Sequence, residues 1–278
     1  MTGERALVLG GGGVTGIAWE LGILSGLAEA GVDLTQADLV VGTSAGSVVG
    51  AQVTSGLDVQ ELYERQLRPP TSELAASFGI GSMIRYGLAT IGARDPRAVR
   101  ARIGRMALHA KTASESERLA VIESRLPLTD WPKRRLVIAA VDALSGEFTG
   151  FDASSGVPLV RAVAASCAVP GVWPPVSMDG RRWIDGGVRS AANADLAEGC
   201  RRVVVLAPIV RGFGPVPSVD KQAAALRSAG SEVVVVSPNR AALEAIGRNM
   251  LDPGRRAGSA RAGRRQAAAI ADTVAAIW

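Results

Sequence analysis

Histidine is almost missing from this chain: His109 is the only one in 278 residues. That scarcity excludes HExxH zinc sites and histidine-rich metal clusters, and it leaves one imidazole for any Ser-His-Asp triad. His109 sits in a basic stretch, residues 105–111, expected to be helical and not catalytic. Cysteine is equally sparse. Cys167 and Cys200 are too few and too isolated for a disulfide framework or a metal knuckle, and are expected to be buried apolar residues. No paired-carboxylate motif suggests a metal site, and the chain is expected to work with neither a metal nor a cofactor. Aromatic residues make up 4% of the chain, so the core must be built from Ala, Val, Leu and Ile. No apolar run reaches 18 residues, which argues against a membrane span. Residues 1–5 lead directly into a strand-like segment without the parts of a signal peptide, so the cytoplasm is the expected location.

What is present is a globular composition, 47% hydrophobic and 21% charged, in a length suited to one large domain. The net charge of +5 is carried by arginine, because Lys111, Lys133 and Lys221 are the only lysines. Two arginine clusters stand out, Arg94 to Arg105 and Arg255 to Arg265. A solvated helix face accounts for them, and so does transient contact with an anionic membrane surface. Nucleic-acid binding is not expected from this bias alone.

The pattern of elements reads as α/β. The short apolar run 6–9 is β-like and stops at four glycines, Gly10 to Gly13. Apolar residues from Val14 to Ala30 then recur at three- and four-residue spacing, and Gly31 supplies a helix stop. A second buried strand at 39–41 ends in Gly42-Thr43-Ser44-Ala45-Gly46, followed by another helix. This alternation predicts a parallel sheet with crossover helices. Residues 58–126 read as mostly helical, 136–141 as a strand, 142–151 as a hairpin return and 158–167 as a helix. Strands at 182–184, 203–206 and 233–236 and a last alanine-rich helix complete one domain, with no convincing linker or repeat.

Three motifs carry chemistry. Gly42-Thr43-Ser44-Ala45-Gly46 fits the GxSxG nucleophile elbow, in which the glycines Gly42 and Gly46 permit a sharp strand-to-helix turn that exposes Ser44. The glycine run admits two readings. Gly11-x-Gly13-x-x-Gly16 satisfies a dinucleotide fingerprint between strand and helix, although no acidic residue ends the next strand to take a ribose. Alternatively, Gly11, Gly12 and Gly13 form an oxyanion hole from backbone N–H groups at a helix N-terminus, where each donor is worth about 3 kcal/mol. Asp185-Gly186-Gly187 is the third motif, either a β-turn or an aspartate brought close to another backbone. A solvated carboxylate would be a poor general base at neutral pH; burial beside Ser44 would raise its pKa and improve it.

In that order, Gly10-Gly11-Gly12-Gly13-Val14-Thr15-Gly16, the Ser44 elbow and Asp185-Gly186-Gly187 resemble the patatin-like phospholipase family, as does Ala165-Ser166-Cys167-Ala168-Val169-Pro170. The resemblance spans residues 5 to 210, loosely between 58 and 130, with the strand and helices of 211–278 beyond it. It implies a three-layer α/β/α sandwich around a mainly parallel sheet and a serine–aspartate dyad, Ser44 and Asp185, working without histidine. The implied activity is hydrolysis of carboxylic esters of lipids, of phospholipase A, lysophospholipase or carboxylesterase type, with the lipid ester as partner. A non-catalytic membrane-surface protein on the same scaffold is the other reading. One position departs from the family, which usually carries Arg or Lys where this chain has Thr15. Phe78, Ile80, Met83, Ile84, Tyr86 and Leu88 either cover an acyl-chain groove or pack as ordinary core.

Overall fold

A computed structural model describes residues 4–69, 87, 89, 92, 95–212 and 216–278. Phe78, Ile80, Met83, Ile84, Tyr86 and Leu88, expected at an acyl groove or as core, lie outside the described residues, as does Arg94. Strand β1 (Arg5–Leu9) runs into helix α1 (Gly13–Glu29), and β2 (Leu39–Gly42) into α2 (Ala45–Thr54), as the alternation predicts. Helix α1 ends in a Schellman motif: the Val32 N–H donates to the Leu27 carbonyl at 2.8 Å and the Gly31 N–H to Ala28 at 3.0 Å. Gly31 takes φ +86°, the left-handed turn that this closure requires.

Helices α3 (Val59–Leu67), α4 (Pro96–Leu108) and α5 (Glu115–Glu123) follow. Each starts on a polar side chain that accepts from the first turn, Asp58, Asp95 or Ser114. Next come β3 (Arg135–Asp142), β4 (Phe148–Phe151), α6 (Leu159–Ser166), β5 (Val176–Met178), β6 (Arg181–Asp185) and β7 (Arg202–Leu206). The chain closes with α7 (Val219–Ser228), β8 (Glu232–Val236), α8 (Arg240–Ile246) and α9 (Arg256–Ala275).

The eight strands among the described residues join one sheet in the order β5-β6-β3-β2-β1-β7-β8, with β4 also paired to β3. The run β3-β2-β1-β7-β8 is parallel, whereas β4 and β6 lie antiparallel to β3. Alternate residues of β1 face opposite layers. Leu7 and Leu9 pack with α1, α2 and α9, and Ala6 and Val8 pack with α7 and the segment 191–200. Helix α4 covers Val141 and Ile184 at the antiparallel end. Burial on both faces is why the central strands are continuously apolar. The architecture is a three-layer α/β/α sandwich around a mainly parallel sheet.

Helices α1 and α9 approach unusually closely. A Cβ on Gly22 would lie 2.2 Å from the Ala260 carbonyl oxygen, and one on Gly263 would lie 2.4 Å from that of Trp19. The Trp19 indole seals the contact by donating to Gln266 at 3.2 Å. Much of the arginine is spent internally. Arg97 and Arg100 hold the carbonyls of the β3–β4 turn, Arg256 bonds Gln66, and Arg264 pairs with Glu29. Among the described residues, no helix is long and apolar enough to cross a membrane.

Candidate active site

In the parallel register Leu9 lies opposite Gly42, so the glycine turn after β1 and the elbow after β2 leave the sheet at the same edge. Gly42 in turn faces Ile138 of β3, and Ala140, two residues further on, faces Asp185. Strand β6 therefore approaches from beyond the edge and ends level with Ser44. This is the carboxyl edge of the parallel strands, where open α/β sheets form their binding crevices.

Ser44 sits between β2 and α2 at φ +52°, ψ −115°, a conformation that costs a non-glycine residue about 1–3 kcal/mol. Both elbow glycines are required by space. A Cβ on Gly46 would lie 2.1 Å from the Leu9 carbonyl oxygen, and one on Gly42 would lie 2.6 Å from Ser47 Cα. The strained peptide is clamped by the end of α6. The Ser44 N–H donates to Ser166 Oγ at 2.9 Å, and the Cys167 thiol donates to the Ser44 carbonyl at 3.2 Å. These two roles explain the Ala165–Pro170 segment.

Asp185 is buried, 5% exposed, beside a Ser44 that is 7% exposed. The Gly187 N–H donates to its Oδ1 at 2.7 Å, and the Ser44 side chain favours its ionised form. Burial raises the Asp185 pKa to about 6, and the Ser44 and Gly187 hydrogen bonds and the Arg118 charge hold it from rising further. Asp185 is thus ionised at neutral pH yet far more basic than a solvated carboxylate. Cys167, buried at the same pocket, has its thiol pushed up to about 11, also by burial, and stays protonated.

The glycine turn divides its labour in a way the sequence does not show. The Gly11 N–H is already given to the Ala191 carbonyl at 2.7 Å, so Gly11 is corrected from an oxyanion donor to an anchor of the turn. A Cβ there would lie 3.6 Å from Ser44 Cβ, an ordinary contact, so space by itself does not demand glycine at this position. Among the described residues, the N–H groups of Gly12, Gly13 and Val14 have no acceptor, and neither has Ala45 at the start of α2. Four unspent donors at two helix N-termini make the edge electropositive. Nothing acidic closes β2, which leads through Gly42 into Thr43 and Ser44, so the dinucleotide reading lacks its ribose partner.

Sequence reasoning missed several residues here. Arg118 lines the Ser44 pocket with its guanidinium 4.1 Å from the centre of the Trp173 ring, and Arg125 lines it too. Leu251 reaches the pocket from the turn between α8 and α9, whose Met250 carbonyl accepts from the Thr15 N–H at 3.1 Å and the Thr15 hydroxyl at 3.2 Å. The departure at Thr15 is therefore a tether to the C-terminal segment. His109 is exposed at the end of α4 and lines no part of this pocket. Among the described residues, no three His, Cys, Asp or Glu side chains form a metal-holding group.

Comparison with known proteins gives the same region. An uncharacterized NTE family protein of Mycobacterium bovis is 29% identical over 202 residues, covering 69% of this chain and 47% of that protein. Lysophospholipase NTE1 of Phaeosphaeria nodorum is 42% identical over 82 residues, 30% of this chain and 5% of that protein. The chain thus spans less than half the length of these curated relatives. Among solved structures, VipD from Legionella pneumophila aligns with 97% of this chain and 67% of its own, at 13% identity and a TM-score of 0.48. The type III effector ExoU aligns with 98% and 53%, at 16% identity and a TM-score of 0.43. A family model of patatin-like phospholipases matches residues 7–198, a span that holds the glycine turn, the elbow and the Asp185 turn. With that match covering more than half of its length, the chain belongs to the patatin-like phospholipase family.

Proposed function

We propose that this protein is a lipid acyl hydrolase that cleaves carboxylic esters through a Ser44–Asp185 dyad. The observation that carries the reading is that a strained, buried Ser44 and a buried Asp185, whose pKa burial raises, end level with each other on either side of β3 at the carboxyl edge of the sheet. An ester carbonyl enters the pocket edge, and Ser44 Oγ attacks its carbon while Asp185 accepts the hydroxyl proton. The developing oxyanion is held by the unspent N–H groups of Gly12 and Gly13, helped by the N-terminal end of α1. Collapse of the tetrahedral intermediate expels the alcohol, which takes its proton from Asp185 and leaves an acyl ester on Ser44. Asp185 then takes a proton from water as that water attacks the acyl carbon, and a second collapse returns the proton to Ser44 and releases the carboxylic acid.

The lysophospholipase named among the relatives supports a lipid ester as the substrate, with transient contact at an anionic membrane surface as the route to it. Hydrolysis of short and long nitrophenyl esters by wild type, Ser44→Ala and Asp185→Asn tests the dyad. The expected result is a loss of several orders of magnitude in both variants, and equal rates in all three would reject it.

A further inference from the structure

We propose that Asn193 is a positioning residue that holds the Ser44 elbow and the Asp185 turn in register. The inference rests on the dyad reading above and adds a residue that the reading does not use. Asn193 is fully buried and takes the left-handed conformation, φ +50°, ψ +42°, eight residues after Asp185. Its Nδ2 donates to Thr43 Oγ1 at 3.0 Å, to the Gly186 carbonyl at 3.2 Å and to the Ser190 carbonyl at 3.0 Å. Thr43 immediately precedes the nucleophile and Gly186 immediately follows the acid, so one carboxamide spans both reacting residues.

The neighbours extend the clamp. The Thr43 hydroxyl donates to the Ala192 carbonyl at 3.2 Å, and the Ala191 carbonyl takes the Gly11 N–H at 2.7 Å. Three consecutive residues, 191–193, therefore grip the glycine turn, the elbow and the acid turn. The grip is itself anchored. Asn193 Oδ1 accepts from Arg189 at 2.7 Å, and Arg189 pairs with Asp195. Gln222 of α7 accepts from Ser190 Oγ at 2.6 Å and from the Ala194 N–H at 3.3 Å. Asparagine suits the position because it tolerates φ near +50° and offers two amide hydrogens on a short, stiff side chain. Proton transfer between Ser44 and Asp185 depends on this spacing, and a misplacement of about 1 Å costs on the order of 100-fold in rate.

The test uses the full chain and a nitrophenyl ester, with kcat and KM measured for Asn193→Gly, Asn193→Asp, Thr43→Val and the Gly–Val double variant. Asn193→Gly permits the backbone and deletes the carboxamide, and Asn193→Asp keeps the shape and replaces the donors. Both are expected to lose about 100-fold in kcat, with KM changing less than about threefold, because the bond acts on the reacting geometry and not on substrate affinity. The double variant is expected to lose less than the product of the two single losses, since both changes break the Asn193–Thr43 link and only Thr43→Val also breaks the bond to Ala192. A folded Asn193→Gly or Asn193→Asp with kcat within about threefold of wild type overturns the proposal. So do losses that multiply in the double variant. Should the Asn193 variants fail to fold, Thr43→Val decides alone, and a wild-type kcat there also overturns it. Failure of the underlying reading looks different: Ser44→Ala would retain the wild-type rate, and a fluorophosphonate would label no peptide containing residue 44.

Discussion

Asp185 lies between two opposed influences: burial favours its neutral form, and the Ser44 hydroxyl, the Gly187 N–H and the Arg118 charge favour the carboxylate. A pKa of about 6 follows, and with it a pH profile. In the proposed role of proton acceptor Asp185 must be ionised, so kcat/KM should fall on the acid side with a midpoint near 6 and plateau above it. A flat profile from pH 5 to 8 would contradict this. Removing the Arg118 charge withdraws support from the ionised form, so Arg118→Gln should move the acid limb to higher pH. A limb that stays in place, or moves down, would show that Arg118 does not act on Asp185. Because Arg118 also stacks on Trp173 in the pocket wall, a change in KM is expected beside the shift.

Helix α1 carries two tensions at the level of the element. One is the contact with α9, made possible by Gly22 and Gly263. Gly22→Ala sets a methyl 2.2 Å from a backbone carbonyl that cannot rotate away, so the helices must separate. A loss of about 1–3 kcal/mol is expected from such overpacking, read as a lower urea midpoint at unchanged slope; an unchanged midpoint would refute it. The other tension is Glu20, wholly buried, with neither carboxyl oxygen hydrogen-bonded among the described residues. Burial raises its pKa well above the ordinary value. The folded state therefore keeps a proton that the unfolded chain releases, and stability is highest below the unfolded pKa, about 4.3, and declines as pH rises above it. Glu20→Gln removes that dependence. The variant should gain thermal stability over wild type at pH 8, and the gain should shrink towards pH 4. A gain equal at both values would mean that Glu20 is not the source.

For the whole molecule, the family match ends at residue 198, whereas the site does not. Leu251 lines the pocket, Met250 holds Thr15, Gln222 braces the segment around Asn193, and α9 seals α1 through Gln266. A chain cut after residue 210 would also lose β8, which pairs with β7 along its whole length. Such a truncation is expected to lose cooperative unfolding and ester hydrolysis together. If it unfolds as sharply as the full chain and keeps its activity, the C-terminal segment is dispensable.

Local chemistry wrote much of this into the chain. Glycine at 42 and 46 around Ser44 announced a strand-to-helix turn, and apolar runs at 6–9, 39–41 and 203–206 announced buried parallel strands. Those signals survive because they depend on backbone conformation and on burial over a few neighbouring residues. Contacts between distant segments left no such trace. Gly11 and Gly12 are alike as residues, yet one N–H meets the Ala191 carbonyl and the other meets none. No motif marked Arg118, Asn193 or Leu251; packing brings Arg118 and Leu251 to the Ser44 pocket and Asn193 to Thr43 and Gly186. The amino-acid order alone determined the elements and marked Ser44 and Asp185 as the proposed nucleophile and acid. Only the tertiary structure decided which amides stay unspent, how far burial raises Asp185 and what holds the loops together, because hydrogen-bond partners and desolvation are properties of three-dimensional neighbours.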